Sequence, residues 1–300
     1  MTTQLVPSGP YRLRASAEFG FGQRHAQAFD GVMRLAFLTD GGFRPVAVAL
    51  RQAAPDGPVD VDITGDADPA LVLAQTARML GLDHDAETYP EVGLRDPVVG
   101  RLMRVRPGLR PPLFHSAYEA AAWCVLSARR PAAQMAAVRD RLAREHGTVF
   151  TVAGQELAAF PAPGVLATVD EIPGLPQPKV DRLHAVARAA LEGGCDTATL
   201  RSLPADDAAH RLQQLPGVGP FYAALIVLRA LGHADEPVTA EPRLLALLGE
   251  LYGLTGPAHA ADATRIASAW RPWRTWVAVL VRAAGAELLA RSREAVGAHA

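Results

Sequence analysis

Lysine is almost absent from this 300-residue chain: Lys179 is the single lysine among 30 basic residues. Chemistry that needs an amine nucleophile, such as Schiff-base formation, has one side chain to draw on. Cysteine is scarce too. Cys124 and Cys195 stand far apart, which excludes a disulfide framework and a clustered cysteine–metal centre and fits reduced thiols. Asp83-His84-Asp85 reads as an exposed turn rather than a ligand set. No apolar run reaches the roughly 18 residues that span a bilayer. The opening "MTTQLVPSGP" has no basic stretch followed by an apolar core. A cytoplasmic protein with no membrane partner is expected. Excess charge is lacking as well, at net −1, so bulk charge points to no polyanionic partner.

What is present fits a globular protein: the chain is 49% hydrophobic and long enough for two modest domains. The arginines are unevenly spread. Nine lie between Arg101 and Glu145, and positions 265, 271, 274, 282, 291 and 293 carry another six. Two locally basic segments in a neutral chain would suit a nucleic-acid footprint, and solvated helix faces explain them as readily.

Period-two alternation from Tyr11 to Phe19 reads as a strand, and so do "GVMRLAFL", "RPVAVALRQA" and Val59–Ile63. The turn "TDGG" joins the middle two into a hairpin. A helix follows Asp68. Beyond "RVRPGLRPP" the texture turns helical. Ser116 and Glu119 have capping-box spacing, Pro131 interrupts the helix they open, and "LPQPKVDRLHAVARAALEGG" is another helix. The fold class is therefore α+β: a small antiparallel β-sheet/α domain over 1–108, then an all-α domain over 109–300.

The densest signal is "QQLPGVGPFYAALIVLRALGHADEPVTAEPRLL", 213–245. Gly217 and Gly219 flank Val218 as in a tight turn, and Pro220 suits a first helical position. The preceding run is helical rather than a strand, which excludes a dinucleotide-binding reading. The unit is helix, short hairpin, helix, whose free backbone N–H groups favour an anion.

Leu215-Pro216-Gly217-Val218-Gly219 resembles the hairpin of helix-hairpin-helix DNA glycosylases. With "GLDHD", "DPVVGRLMRVRPGLR", "YEAAAWCVL", "FPAPGVLATV" and "WRPWRTW", the chain resembles the bacterial 3-methyladenine DNA glycosylase II family over most of its length. The resemblance implies a monofunctional glycosylase that flips out and hydrolytically excises a damaged, alkylated base from double-stranded DNA, as a monomer and without a required cofactor. The missing four-cysteine cluster sets it apart from the iron–sulfur branch.

The family's carboxylate is an aspartate about twenty residues past the hairpin; that position is Glu241 here, one methylene longer. Leu215, Gly217, Val218 and Gly219 fall on the DNA-binding hairpin. Arg129 and Arg130 fall on the turn that usually carries a glutamine and an apolar wedge. Phe221, Tyr222, Trp273 and Trp276 are the candidates for stacking on a base. Carbonyls of Gln213, Leu215 and Val218 would hold the family's monovalent cation, Na+ or K+. The lyase branch carries its lysine where this chain has Phe221. Because Glu241 departs from the family, a second reading stands beside the enzyme: a DNA-binding or damage-sensing homologue with weakened chemistry.

Overall fold

A computed structural model describes residues 2–19 and 29–297. The first strand, β1 (Thr2–Leu5), precedes a short helix α1 (Leu13–Glu18) and strands β2 (Met33–Leu38), β3 (Pro45–Gln52) and β4 (Val59–Gly65). They form one antiparallel sheet in the order β1-β4-β3-β2. The alternation expected to make Tyr11–Phe19 a strand makes a helix instead. Tyr11 and Leu13 donate their N–H groups to the side chains of Asp56 and Gln52, so no sheet ladder claims them. Leu13 and Ser16 then bury one helical face at i, i+3 spacing. The edge beside β4 is filled by β1.

Helix α2 (Pro69–Leu80) starts where Asp68 accepts the N–H of Ala70 and packs its apolar face on the sheet with Met79 and Leu80. Its polar side chains reach further. Gln75 donates to the carbonyls of Leu38 and His115, and Arg78 donates to those of Ala230 and His115. Helices α3 (Glu91–Arg95) and α4 (Pro97–Val105) follow, and Asp96 caps α4. Arg110 is fully buried. Its guanidinium donates to the carbonyls of Ser8, Gly9, Pro10 and Gly81.

Helix α5 (Ala117–Ser127) is buried along nearly its whole length. Ser116 accepts the N–H of Glu119 as its spacing suggested. The Glu119 carboxylate does not complete the box: it pairs with His115 and Arg139, each at 3.1 Å. After α6 (Ala132–His146) comes an unexpected hairpin, β5 (Thr148–Val152) and β6 (Gln155–Ala159), so the second part is not all-α. Its turn places Ala153 and Gly154 at φ 44 and 80, the left-handed pair that a two-residue hairpin turn needs. Alanine rather than asparagine in the first position hid that signal.

The chain continues through α7 (Pro163–Leu166), α8 (Gln177–Leu191), α9 (Thr197–Arg201), α10 (Ala205–Leu212) and α11 (Pro220–Ile226). A π turn, Val227–Leu231, carries α11 onward. Helices α12 (Pro242–Leu251), α13 (Ala260–Ala267) and α14 (Arg274–Gly297) close the fold. One core gathers α5, α6, α8, α10 and α11. A second joins Tyr89, Val92, Val99, Leu102 and Leu109 to Leu244, Leu248, Trp270, Trp276 and Ala284. Cys124 and Cys195 are free and buried, and burial pushes the Cys195 thiol up to about 12. Among the described residues no helix is long and apolar enough to cross a membrane.

Candidate nucleic-acid interface and active site

The hairpin divides its residues by side. Leu215 and Val218 are buried in the helical core, while Gly217 and Gly219 lie on the surface. Only the backbone of Leu215 and Val218 is thus available to a partner. Gly217 sits at φ 94, a left-handed conformation that glycine adopts without strain. A Cβ there would come within 3.0 Å of Arg182 Cδ. Gly219 is different. It is extended, at φ −82 and ψ −179, and a Cβ there would meet nothing within 4 Å. The fold does not require glycine at 219, and the open space lies in front of the first N–H groups of α11.

The turn between α5 and α6 lies beside this hairpin, since Val125 also approaches Gly217. It exposes Arg129 and Arg130, with Arg129 at φ 56, an uncommon left-handed conformation for a side chain of its size. Lys179 supports the turn from α8: its Nζ donates to the carbonyls of Leu126 at 2.6 Å and Ala128 at 2.9 Å. Burial lowers the pKa of this amine, and Arg130 and Arg182 lower it further. The sequence reading weighed Lys179 only as an amine nucleophile and gave Arg182 no role. A basic residue one or two turns along a helix from an exposed loop gives no sequence signal.

The four aromatic candidates split. Phe221 is 58% exposed at the start of α11 and meets Tyr222 edge-on at 5.5 Å. Trp273 and Trp276 are 5% and 4% exposed and pack into the second core with Tyr89, His84 and Arg110. His84 is half-buried and its Nε2–H donates to the Gly232 carbonyl, so the expected exposed turn is anchored on one side. Burial holds both His84 and His233 below the ordinary imidazole value.

Glu241 is the N-cap of α12. Its carboxylate accepts the N–H of Leu244 at 2.7 Å and of Arg243 at 3.2 Å. It also pairs with Arg282 on α14, whose Nε is 3.0 Å from Oε2. In the loop before Glu241, Asp235 binds Arg274 at 2.7 Å and Arg271 at 3.1 Å. The basic segments change meaning with these pairs. All six arginines between 265 and 293 have a carboxylate partner. Arg106, Arg139 and Arg144 are paired too, and Arg110 is buried. Most of this charge serves the fold, whereas Arg129 and Arg130 stand exposed at the turn.

No family model matches the chain. It is 28% identical over 247 residues to DNA-3-methyladenine glycosylase 2 of Escherichia coli K12, covering 80% of this chain and 81% of that protein. The 3-methyladenine DNA-glycosylase of Archaeoglobus fulgidus superposes with a TM-score of 0.74 at 17% identity, over 94% of this chain and 98% of that one. The chain is a homologue of the 3-methyladenine DNA glycosylases. A further relative, the probable bifunctional transcriptional activator/DNA repair enzyme AlkA of Mycobacterium tuberculosis, is 29% identical over 219 residues. That match takes in 70% of this chain and 42% of the relative, so the chain spans less than half of that protein's length. In this glycosylase homologue no group of three or more His, Cys, Asp or Glu side chains is placed to hold a metal ion, among the described residues.

Proposed function

We propose that the chain is a monofunctional DNA glycosylase that excises a damaged, alkylated base from double-stranded DNA. The observation that carries this reading is Glu241: a carboxylate fixed by two backbone N–H groups, beyond an exposed hairpin, at the start of a helix. Breaking the N-glycosidic bond sends the bonding electron pair to the base nitrogen and leaves an oxocarbenium-like sugar. A fixed negative charge stabilises that sugar. Water then bonds to the anomeric carbon and gives up a proton; a base that was cationic leaves neutral, one that was neutral takes up a proton, and an abasic site stays behind.

The backbone of 215–219 and the exposed Arg129 and Arg130 would clamp phosphates, and Arg129 would also enter the gap left by the flipped base. Phe221 is the aromatic face free to stack, and Tyr222, half-buried against the helical core and hydrogen-bonded to Ser127, would back it. Trp273 and Trp276 would shape the wall from behind. A monovalent cation at the carbonyls of Gln213, Leu215 and Val218 would join hairpin to phosphate. It competes there with the N–H that Val218 donates to Leu215. The protein is proposed to act as a cytoplasmic monomer, with residues 1–108 and 109–300 as its two domains.

One observation favours the alternative, a duplex-binding homologue with weakened chemistry. The Glu241 charge is already compensated by Arg282 and by the helix start. Release of free base from duplexes with alkylated, deaminated or oxidised bases, read as alkali-labile sites, decides between them. Release that is lost in Glu241→Gln supports the enzyme, and salt-sensitive duplex binding with no release from any lesion supports the homologue.

A further inference from the structure

The turn between α5 and α6 holds a residue that its geometry does not suit. Ala128 sits at φ −52 and ψ 118, Arg129 follows at φ 56, and Arg130 donates its N–H to the Ser127 carbonyl at 3.1 Å. This is a type II turn, whose third residue takes a positive φ and is normally glycine or asparagine. Arginine there is strained where glycine would not be. Turning over the peptide between Ala128 and Arg129 would give a type I turn, with Arg129 at an ordinary negative φ and its side chain redirected.

Lys179 opposes that flip. Its Nζ donates to the Ala128 carbonyl at 2.9 Å, the oxygen of the very peptide that would turn over. It also donates at 2.6 Å to the carbonyl of Leu126, in the last turn of α5. Little else about the position favours an amine. Lys179 lies in the first turn of α8, where the helix dipole disfavours a cation. Burial lowers its pKa, and the nearby Arg130 and Arg182 lower it further. The carbonyls at the end of α5 offset these effects, so the amine serves the turn rather than its own helix.

We infer that Lys179 is a positioning residue for base flipping: it holds the α5–α6 turn in its type II form, so that Arg129 is ready to enter the duplex before DNA arrives. This rests on the reading of Arg129 as the side chain that fills the gap left by the flipped base. A turn fixed in advance avoids the ordering cost that a loose one meets on binding.

The test is a double-mutant cycle in the full chain: the parent, Lys179→Met, Arg129→Gly and the two changes together. Glycine removes the side chain and takes the positive φ freely. The duplexes hold one damaged base, N7-methylguanine or whichever lesion the parent releases fastest, with 2-aminopurine as its neighbour. Two rates are read with protein in excess: base release, and the fluorescence rise of 2-aminopurine as its stacking partner leaves. Lys179→Met is expected to slow both about tenfold to a hundredfold, the effect of a misplaced side chain, while melting within a few degrees of the parent. In the Arg129→Gly background the same change should add less than threefold, because the two residues act as one unit. Aminoethylation of Lys179→Cys rebuilds an amine of lysine's length and should restore both rates; Cys124 and Cys195 are buried.

Losses that multiply in the double variant, or a Lys179→Met protein within threefold of the parent, overturn the inference and leave the glycosylase standing. Should Lys179→Met fail to fold, Lys179→Cys before and after aminoethylation takes its place, and rates indifferent to the restored amine refute the role. A parent that releases no base from any lesion defeats the glycosylase reading, and the fluorescence cycle still decides for or against Lys179.

Discussion

Replacing Glu241 by glutamine separates catalysis from stability, because the structure gives a size to each. In the parent the carboxylate accepts two backbone N–H bonds and faces Arg282 at 3.0 Å. The amide keeps one oxygen for capping. It loses the interaction of a negative charge with the helix start, about 0.3–1 kcal/mol. It also loses an ion pair whose partners are 28% and 35% exposed, so solvent screening limits that share to about 0–1 kcal/mol. A weakened cap hydrogen bond brings the total to roughly 1–2 kcal/mol. A domain stable by about 5–15 kcal/mol stays folded, with its melting temperature lower by a few degrees. Loss of a positioned stabiliser of the transition state costs about a hundredfold to a thousandfold in rate. The assay is single-turnover base release with protein in excess, beside thermal melting and duplex binding. A variant that melts a few degrees lower, binds duplex as before and releases base within threefold of the parent would refute the role of Glu241.

Glu241→Asp is expected to keep the cap, since Asp68, Asp96 and Asp196 cap helices in this same chain, but to slow release about a hundredfold by withdrawing the carboxylate about 1 Å or more. A faster variant would show the parent side chain to be misplaced and decide for the weakened homologue. Gly219→Val should melt like the parent, because the position is extended and open, yet bind duplex at least tenfold more weakly whatever the lesion; unchanged anisotropy titrations would remove the α11 start from the interface. Borohydride should trap no covalent complex with abasic DNA, since the one lysine is held by the carbonyls of Leu126 and Ala128, and an adduct mapped to Lys179 would end the monofunctional assignment. Burial keeps His84 and His233 less basic folded than unfolded. Unfolding therefore takes up protons, and denaturant midpoints should fall as pH drops through 6.5 and toward 5. A midpoint that rises over that interval would show the imidazoles to be stabilised as cations.

Elements with strong local signals were legible. Asp68 before an amphipathic run gave α2, and the Leu-Pro-Gly-Val-Gly turn gave the junction of α10 and α11. The strands β2, β3 and β4 followed from alternation on either side of turn residues. Alternation misled at Tyr11–Phe19, where side chains of distant Asp56 and Gln52 take the backbone donors that a strand would use. At the candidate site, sequence named Glu241 and the hairpin glycines as candidates but could not show that Arg282, 41 residues away, pairs with the carboxylate. Nor could it separate Phe221, which stays at the surface, from Trp273 and Trp276, which fill the core. Partnership across helices depends on packing angle, and periodicity carries no information about that.

The second core also sets an order of events during synthesis. Val92, Val99 and Leu102 emerge well before the residues that cover them, which run from Leu244 to Ala284. At about 5–20 residues per second, α3 and α4 wait roughly ten to thirty seconds with their apolar faces uncovered. That interval is an opening for chaperones and for association between nascent chains. A chain stalled before α12 would keep those faces exposed however well its sheet had formed.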